Sequence, residues 1–171
     1  MLRTALLVSA LAAGLAFSAS AAEINFHANM TGAQEVPPKD SKGTGEVRGA
    51  VDPATKEMHY TVTWQGLSGP ATAAHFHGPA DSGANAGVVV PIGGKNPTSP
   101  ANGSAQLTEA QLKDLMAGKM YVNVHTAANP GGEIRGQVVP DQGGAASNKG
   151  ASLQGVTNAS AAGSDHGATK H

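Results

Sequence analysis

The chain has 171 residues, a formal net charge of -1, no cysteine, 4% aromatic residues and 23 glycines. The lack of cysteine excludes a disulfide-stapled scaffold, and the lack of any basic run or basic–aromatic interleaving excludes a nucleic-acid surface. Scarce aromatics and abundant glycine favour many short strands joined by tight turns over a large helical core.

Residues 1–4 carry one positive charge, Arg3; residues 5–17 are mostly Ala, Leu and Val; small residues follow, with Ala19-Ser20-Ala21 among them. That order predicts a cleavable secretory signal over residues 1–21. The apolar run is too short to anchor the chain, since a spanning helix needs about 20 apolar residues. No later segment is longer, so the mature chain is expected to lack a membrane span and to be periplasmic or secreted. Without Arg3 it has 10 basic residues against 12 acidic ones.

Strands are expected next. Ile24, Phe26 and Ala28 alternate with Asn25, His27 and Asn29, and residues 46–51 alternate in the same way. The clearest period of two runs through Met58, Tyr60, Val62 and Trp64, with His59, Thr61 and Thr63 on the opposite face. Asp52-Pro53-Ala54-Thr55 predicts the turn before it. Residues 72–77 form a further expected strand, broken by Gly78-Pro79, and residues 88–92 read as a short strand buried on all sides. Thr108-x-x-Gln111 is a capping box for a helix of about ten residues with Leu112, Leu115 and Met116 at helical spacing and Gly118 at its end. Residues 121–126 and 133–139 are strands joined by a hairpin at Asn129-Pro130-Gly131-Gly132. From residue 140 to 171 the sequence is largely Gly, Ala, Ser, Asn and Gln, too poor in apolar surface to offset its ordering entropy. One domain over residues 23–139 and a disordered tail are therefore expected, with His166 and His171 in the tail weak as metal ligands.

The sequence echoes itself. Gly45-Glu46-Val47-Arg48-Gly49-Ala50-Val51 matches Gly132-Glu133-Ile134-Arg135-Gly136-Gln137-Val138, which predicts equivalent strands in two halves of a sandwich. Alternation places Glu46 and Arg48 on the face opposite Val47 and Gly49, where they read as solvated cross-strand charges of little energetic weight.

Four segments taken together carry a resemblance. They are Gln34-Glu35-Val36-Pro37-Pro38, Ala74-His75-Phe76-His77-Gly78-Pro79-Ala80, Tyr121-Val122-Asn123-Val124-His125-Thr126 and Gly131-Gly132-Glu133-Ile134-Arg135-Gly136-Gln137. In this order they resemble the CHRD family, named after repeats in chordin and widespread in exported bacterial proteins. The resemblance implies an all-β fold: an antiparallel, Greek-key-like β-sandwich, here with one short helix. It implies no established activity.

The chemistry has to come from the histidines. His75 and His77 lie two apart on a strand, so both rings point to one face, and His125 ends another strand where a third ligand can arrive. Three neutral imidazoles with an open position suit copper or zinc in a binding or catalytic site, not a closed structural one. His59 and His27 read as surface residues, and Asp81 as a turn-capping side chain. A second likeness, to the copper side of copper/zinc superoxide dismutases, implies copper on His75, His77 and His125 and an anion-attracting Arg135. The chain has neither the cysteine nor the histidine-rich zinc loop of those enzymes, so that likeness reaches a mononuclear site at most. No nucleophile elbow, Walker lysine or carboxylate pair is present, and no catalytic residue is assigned. Two functions follow: an exported module that binds a protein or matrix partner, or a periplasmic copper- or zinc-binding protein using the three histidines.

Overall fold

The computed structural model describes residues 22–141. The expected signal and nearly all of the expected tail, including His166 and His171, lie outside the described residues. The elements are β1 (Ile24–Thr31), a 3-10 turn (Gly32–Gln34), β2 (Thr44–Val51), β3 (Glu57–Gln65), β4 (Ala71–His77), β5 (Val88–Pro91), β6 (Ala101–Gln106), α1 (Glu109–Met116), β7 (Tyr121–Thr126), β8 (Ile134–Gln137) and β9 (Val139–Pro140). All pairings are antiparallel, in the order β5-β4-β7-β8-β1-β2-β3-β6, with β9 added beside β1. Among the described residues the fold is all-β with a single α-helix, and its sheet is folded over on itself like a sandwich.

Alternation produces this fold. In β3, Met58, Tyr60 and Val62 are buried while Glu57, His59, Thr61 and Thr63 face water. The sheet curls until Phe76 on β4 meets Tyr60 on β3 edge-on at 5.0 Å and Phe26 on β1 at 6.5 Å. Such edge-to-face rings add to the burial of their apolar area. Around them pack Met30, Val47, Met58, Val62, Val122, Val124 and Ile134. The helix begins as expected: Thr108 accepts from the Gln111 N–H, and the Gln111 side chain accepts from the Thr108 N–H. Its buried Leu112 and Leu115 close one end of the core.

Four sequence expectations change. Residues 88–92 are not buried on all sides: β5 is an edge strand, with Val88 56% exposed. The single strand expected over residues 133–139 is two, because Val138 turns into the core and its N–H donates to Met120 O, after which β9 resumes beside β1. Strand β6 was absent from the expectation. Its sequence Ala-Asn-Gly-Ser-Ala-Gln has weak strand preference, and it exists through its pairing with β3. The fourth concerns the echo. β2 and β8 do flank the same strand, β1, but only the first copy carries solvated charges. Arg48 is exposed and pairs with Glu46, whereas Glu133 and Arg135 are both buried.

Among the described residues no helix is long and apolar enough to cross a membrane.

Candidate metal centre on the outer face of β4 and β7

Strands β4 and β7 are adjacent, with His75 opposite Asn123, His77 opposite Tyr121 and Ala73 opposite His125. Since Ala74, Phe76, Val122 and Val124 fill the core, the alternate residues His75, His77, Tyr121, Asn123 and His125 share the outer face. His125 is the diagonal neighbour of His75, near enough for two rings to meet. The register of β4 against β5 shifts between Phe76 and His77, and such bulges re-aim side chains beside functional sites.

Among the described residues, His75, His77 and His125 come together so that one nitrogen from each lies within 4.8 Å of the other two. The three have different surroundings. His125 Nδ1–H donates to Pro130 O at 2.9 Å, which leaves the Nε2 lone pair facing His75. His75 Nδ1 stands 3.1 Å from that Nε2. Two nitrogens bound to one ion at about 2.0–2.1 Å are roughly 2.9–3.4 Å apart for cis or tetrahedral angles, so this pair already has the spacing of two ligands. Both nitrogens of His77 face an oxygen: Nδ1 is 3.0 Å from Ala86 O and Nε2 is 3.0 Å from Asn123 Oδ1. A neutral ring has one N–H and donates to one of them; the other nitrogen keeps its lone pair and joins an ion once that oxygen is moved aside. Burial depresses the pKa of all three rings, aided at His75 by the neighbouring histidines, and so favours the neutral form that ligates metal. His75 and His125 are partly exposed, so an ion here keeps an open side.

A layer of polar and aromatic groups backs the histidines. The His77 ring stacks on Tyr121 with centroids 4.7 Å apart, and the Arg135 guanidinium lies 3.5 Å above the other partner in that stack, the Tyr121 ring. Arg135 donates to Ala84 O at 2.7 Å and Asn85 Oδ1 at 3.0 Å. Tyr121 OH and Ala86 N–H bond at 3.1 Å. The residue 84–86 segment that holds His77 is thus itself held by Arg135 and Tyr121. Asn85 Nδ2 continues the chain of contacts to Val36 O in the β1–β2 connection.

The remaining sequence candidates fall elsewhere. His59 is exposed beside Glu57, and His27 bonds Asp141 at 2.6 Å on the surface. Asp81 pairs with Lys119 at 3.5 Å on the surface. Arg135 cannot serve as an anion attractor as it stands, because it is 2% exposed and its fork is spent on Ala84, Asn85 and Tyr121. Sequence reasoning missed Asn123 and Tyr121, although Tyr-Val-Asn-Val-His places them on the His125 face by simple alternation. It also missed Glu35 and Glu133, for which local sequence holds no such sign.

The family model of the CHRD domain matches residues 26–138. The chain belongs to the CHRD family. The matched residues include β4 and β7, which carry His75, His77 and His125. No curated protein and no solved structure matches the chain.

Proposed function

We propose that this CHRD domain is an exported binding module that takes up one transition-metal ion, copper ahead of zinc, through His75, His77 and His125. The observation that carries the reading is the 3.1 Å approach of His75 Nδ1 to His125 Nε2, with His77 completing a group of nitrogens within 4.8 Å. Imidazole donors suit both metals, and divalent copper binds such a set more tightly than zinc. The Nδ1–H bond of His125 to Pro130 O is the outer-shell contact that fixes a metal-ligating tautomer. Export rests on the N-terminal charge, apolar run and Ala-x-Ala pattern; N-terminal sequencing of the protein recovered outside the cytoplasm should begin at Ala22 or next to it.

A second reading keeps the module without the metal. Its support is His77, whose two ring nitrogens both face protein oxygens and not open space. The cluster is then a polar network that stiffens the sheet, and the module meets a protein or matrix partner elsewhere. Copper and zinc titration of the chain from Ala22 to His171 separates the two. One-to-one submicromolar uptake, lost when His75, His77 and His125 are all changed to Ala, supports the metal reading. Equal uptake by that triple variant removes it and leaves the interaction module.

A further inference from the structure

Among the described residues, one buried side-chain atom has no hydrogen-bond partner: Oε1 of Glu35. Glu35 follows the 3-10 turn after β1 and is 4% exposed. Leaving a buried carboxyl oxygen unmatched lowers stability, and chains tolerate such a violation chiefly where function requires it. The contrast within this molecule is sharp. Glu133 is equally buried, and both its oxygens are bonded, by Ser41, Ser68, Thr126 and Asn129.

The surroundings of Glu35 point in one direction. A Cβ on Gly132 would collide with Glu35 Oε1 and stand 2.7 Å from Asn123 Nδ2. The bare backbone at Gly132 is what allows carboxyl and amide to approach. Asn123 then reaches the other way, with Oδ1 3.0 Å from His77 Nε2. An amide has a donor end and an acceptor end. With its NH2 turned to the carboxyl, its oxygen faces the ring and calls for the ring proton at Nε2, in competition with Ala86 O, which calls for it at Nδ1; a neutral ring carries one N–H, so the orientation of the amide selects the tautomer. Burial pushes the Glu35 carboxyl up, while the Arg135 charge, the Val36 N–H and the Asn123 amide pull it down, so the same neighbours that lack a bond at Oε1 still act on the group.

We propose that Glu35 is a positioning residue of the histidine centre: its carboxyl orients the Asn123 amide, and Asn123 orients the His77 ring. The importance of this chain for metal uptake rests on the proposed function; its control of the ring does not.

The test uses the metal-free chain first. Long-range imidazole nitrogen NMR spectra are recorded for wild type, Glu35→Gln and Glu35→Met, with thermal melts of each. Gln keeps an oxygen for the Asn123 amide, so the His77 pattern, with a proton-bearing Nε2, is retained. Met has similar length and no acceptor. It leaves the Val36 N–H and the Asn123 amide without their acceptor, so the melting temperature falls modestly, while the His77 proton moves to Nδ1 and the patterns of His75 and His125 persist. Copper affinity then falls about 10- to 100-fold in Glu35→Met, the usual effect of losing an outer-shell partner, and stays within a few-fold in Glu35→Gln. An unchanged His77 spectrum in Glu35→Met overturns the proposal. So does a simultaneous loss of the His75, His77 and His125 patterns in Glu35→Met, which would assign Glu35 to folding alone. If wild type takes up no copper, the metal reading fails, and the ring spectra still decide the role of Glu35.

Discussion

At the scale of single residues, Glu133 shows how a buried charge is made stable. Burial alone would push its carboxyl up. Hydrogen bonds from Ser68, Thr126 and Ser41, with the Ser68 N–H, outweigh that and hold it at about 2, against an ordinary 4.5. A folded-state pKa below the unfolded one adds stability that is complete above the unfolded value and lost on acidification. The shift corresponds to about 3 kcal/mol. The window follows from the shift itself: the contribution is full above pH 4.5 and fades as pH falls through about 2. Glu133→Gln turns an NH2 toward donors and should cost about 2–3 kcal/mol at neutral pH. Urea midpoints measured from pH 7 to pH 2 should show wild type converging on the variant at the acid end. Parallel curves across that range would mean that Glu133 is not the acid-sensitive group.

At the scale of elements, the strands legible in the sequence were those whose side chains alternate strongly. β3 could be read residue by residue and β7 only in its extent, and the His-x-His spacing on β4 sufficed to put two rings on one face. The capping box located the start of α1. Thr108→Ala should cost about 1 kcal/mol, measurable by chemical denaturation. What could not be read was set by distant chain. Arg48 and Arg135 occupy the same place in two near-identical heptapeptides. The outer face of β2 is open to water, whereas that of β8 is covered by the segment supplying Ala84 and Asn85 and by the loop supplying Glu35 and Ser41. No window of local sequence separates the two. The same holds for β6, where the pattern is weak because packing and not propensity decides it. A Cβ on Gly103 would run into the Tyr60 ring. Gly103→Val raises strand propensity yet should destabilise by about 1–3 kcal/mol through overpacking. Equal or greater stability of that variant in urea would show that Tyr60 has room to move.

At the scale of the whole molecule, the histidines join β4 to β7, two strands in the half of the sheet that also carries the buried Tyr121, Asn123, Glu133 and Arg135. The opposite half, β1-β2-β3-β6, presents solvated side chains such as Arg48, Thr61, Thr63 and Asn102. An ion bound only by the folded chain therefore clips neighbouring strands and must raise stability by linkage, by about 2.7 kcal/mol at 100 times its Kd. For a domain near this size that is a rise in Tm of roughly 5–15 °C. Copper at that excess should raise the Tm of wild type and leave the His75, His77, His125 triple Ala variant unmoved. Acid should reverse the effect, because imidazolium does not ligate. Burial holds all three rings below the ordinary 6.5, so the neutral forms persist to lower pH than in free histidine. The copper-induced rise in Tm should accordingly survive at pH 6.5 and vanish only in more acidic buffer. A rise shared by the triple variant would place copper away from the β4–β7 centre, and a rise already gone at pH 6.5 would contradict ligation by three rings that burial keeps neutral.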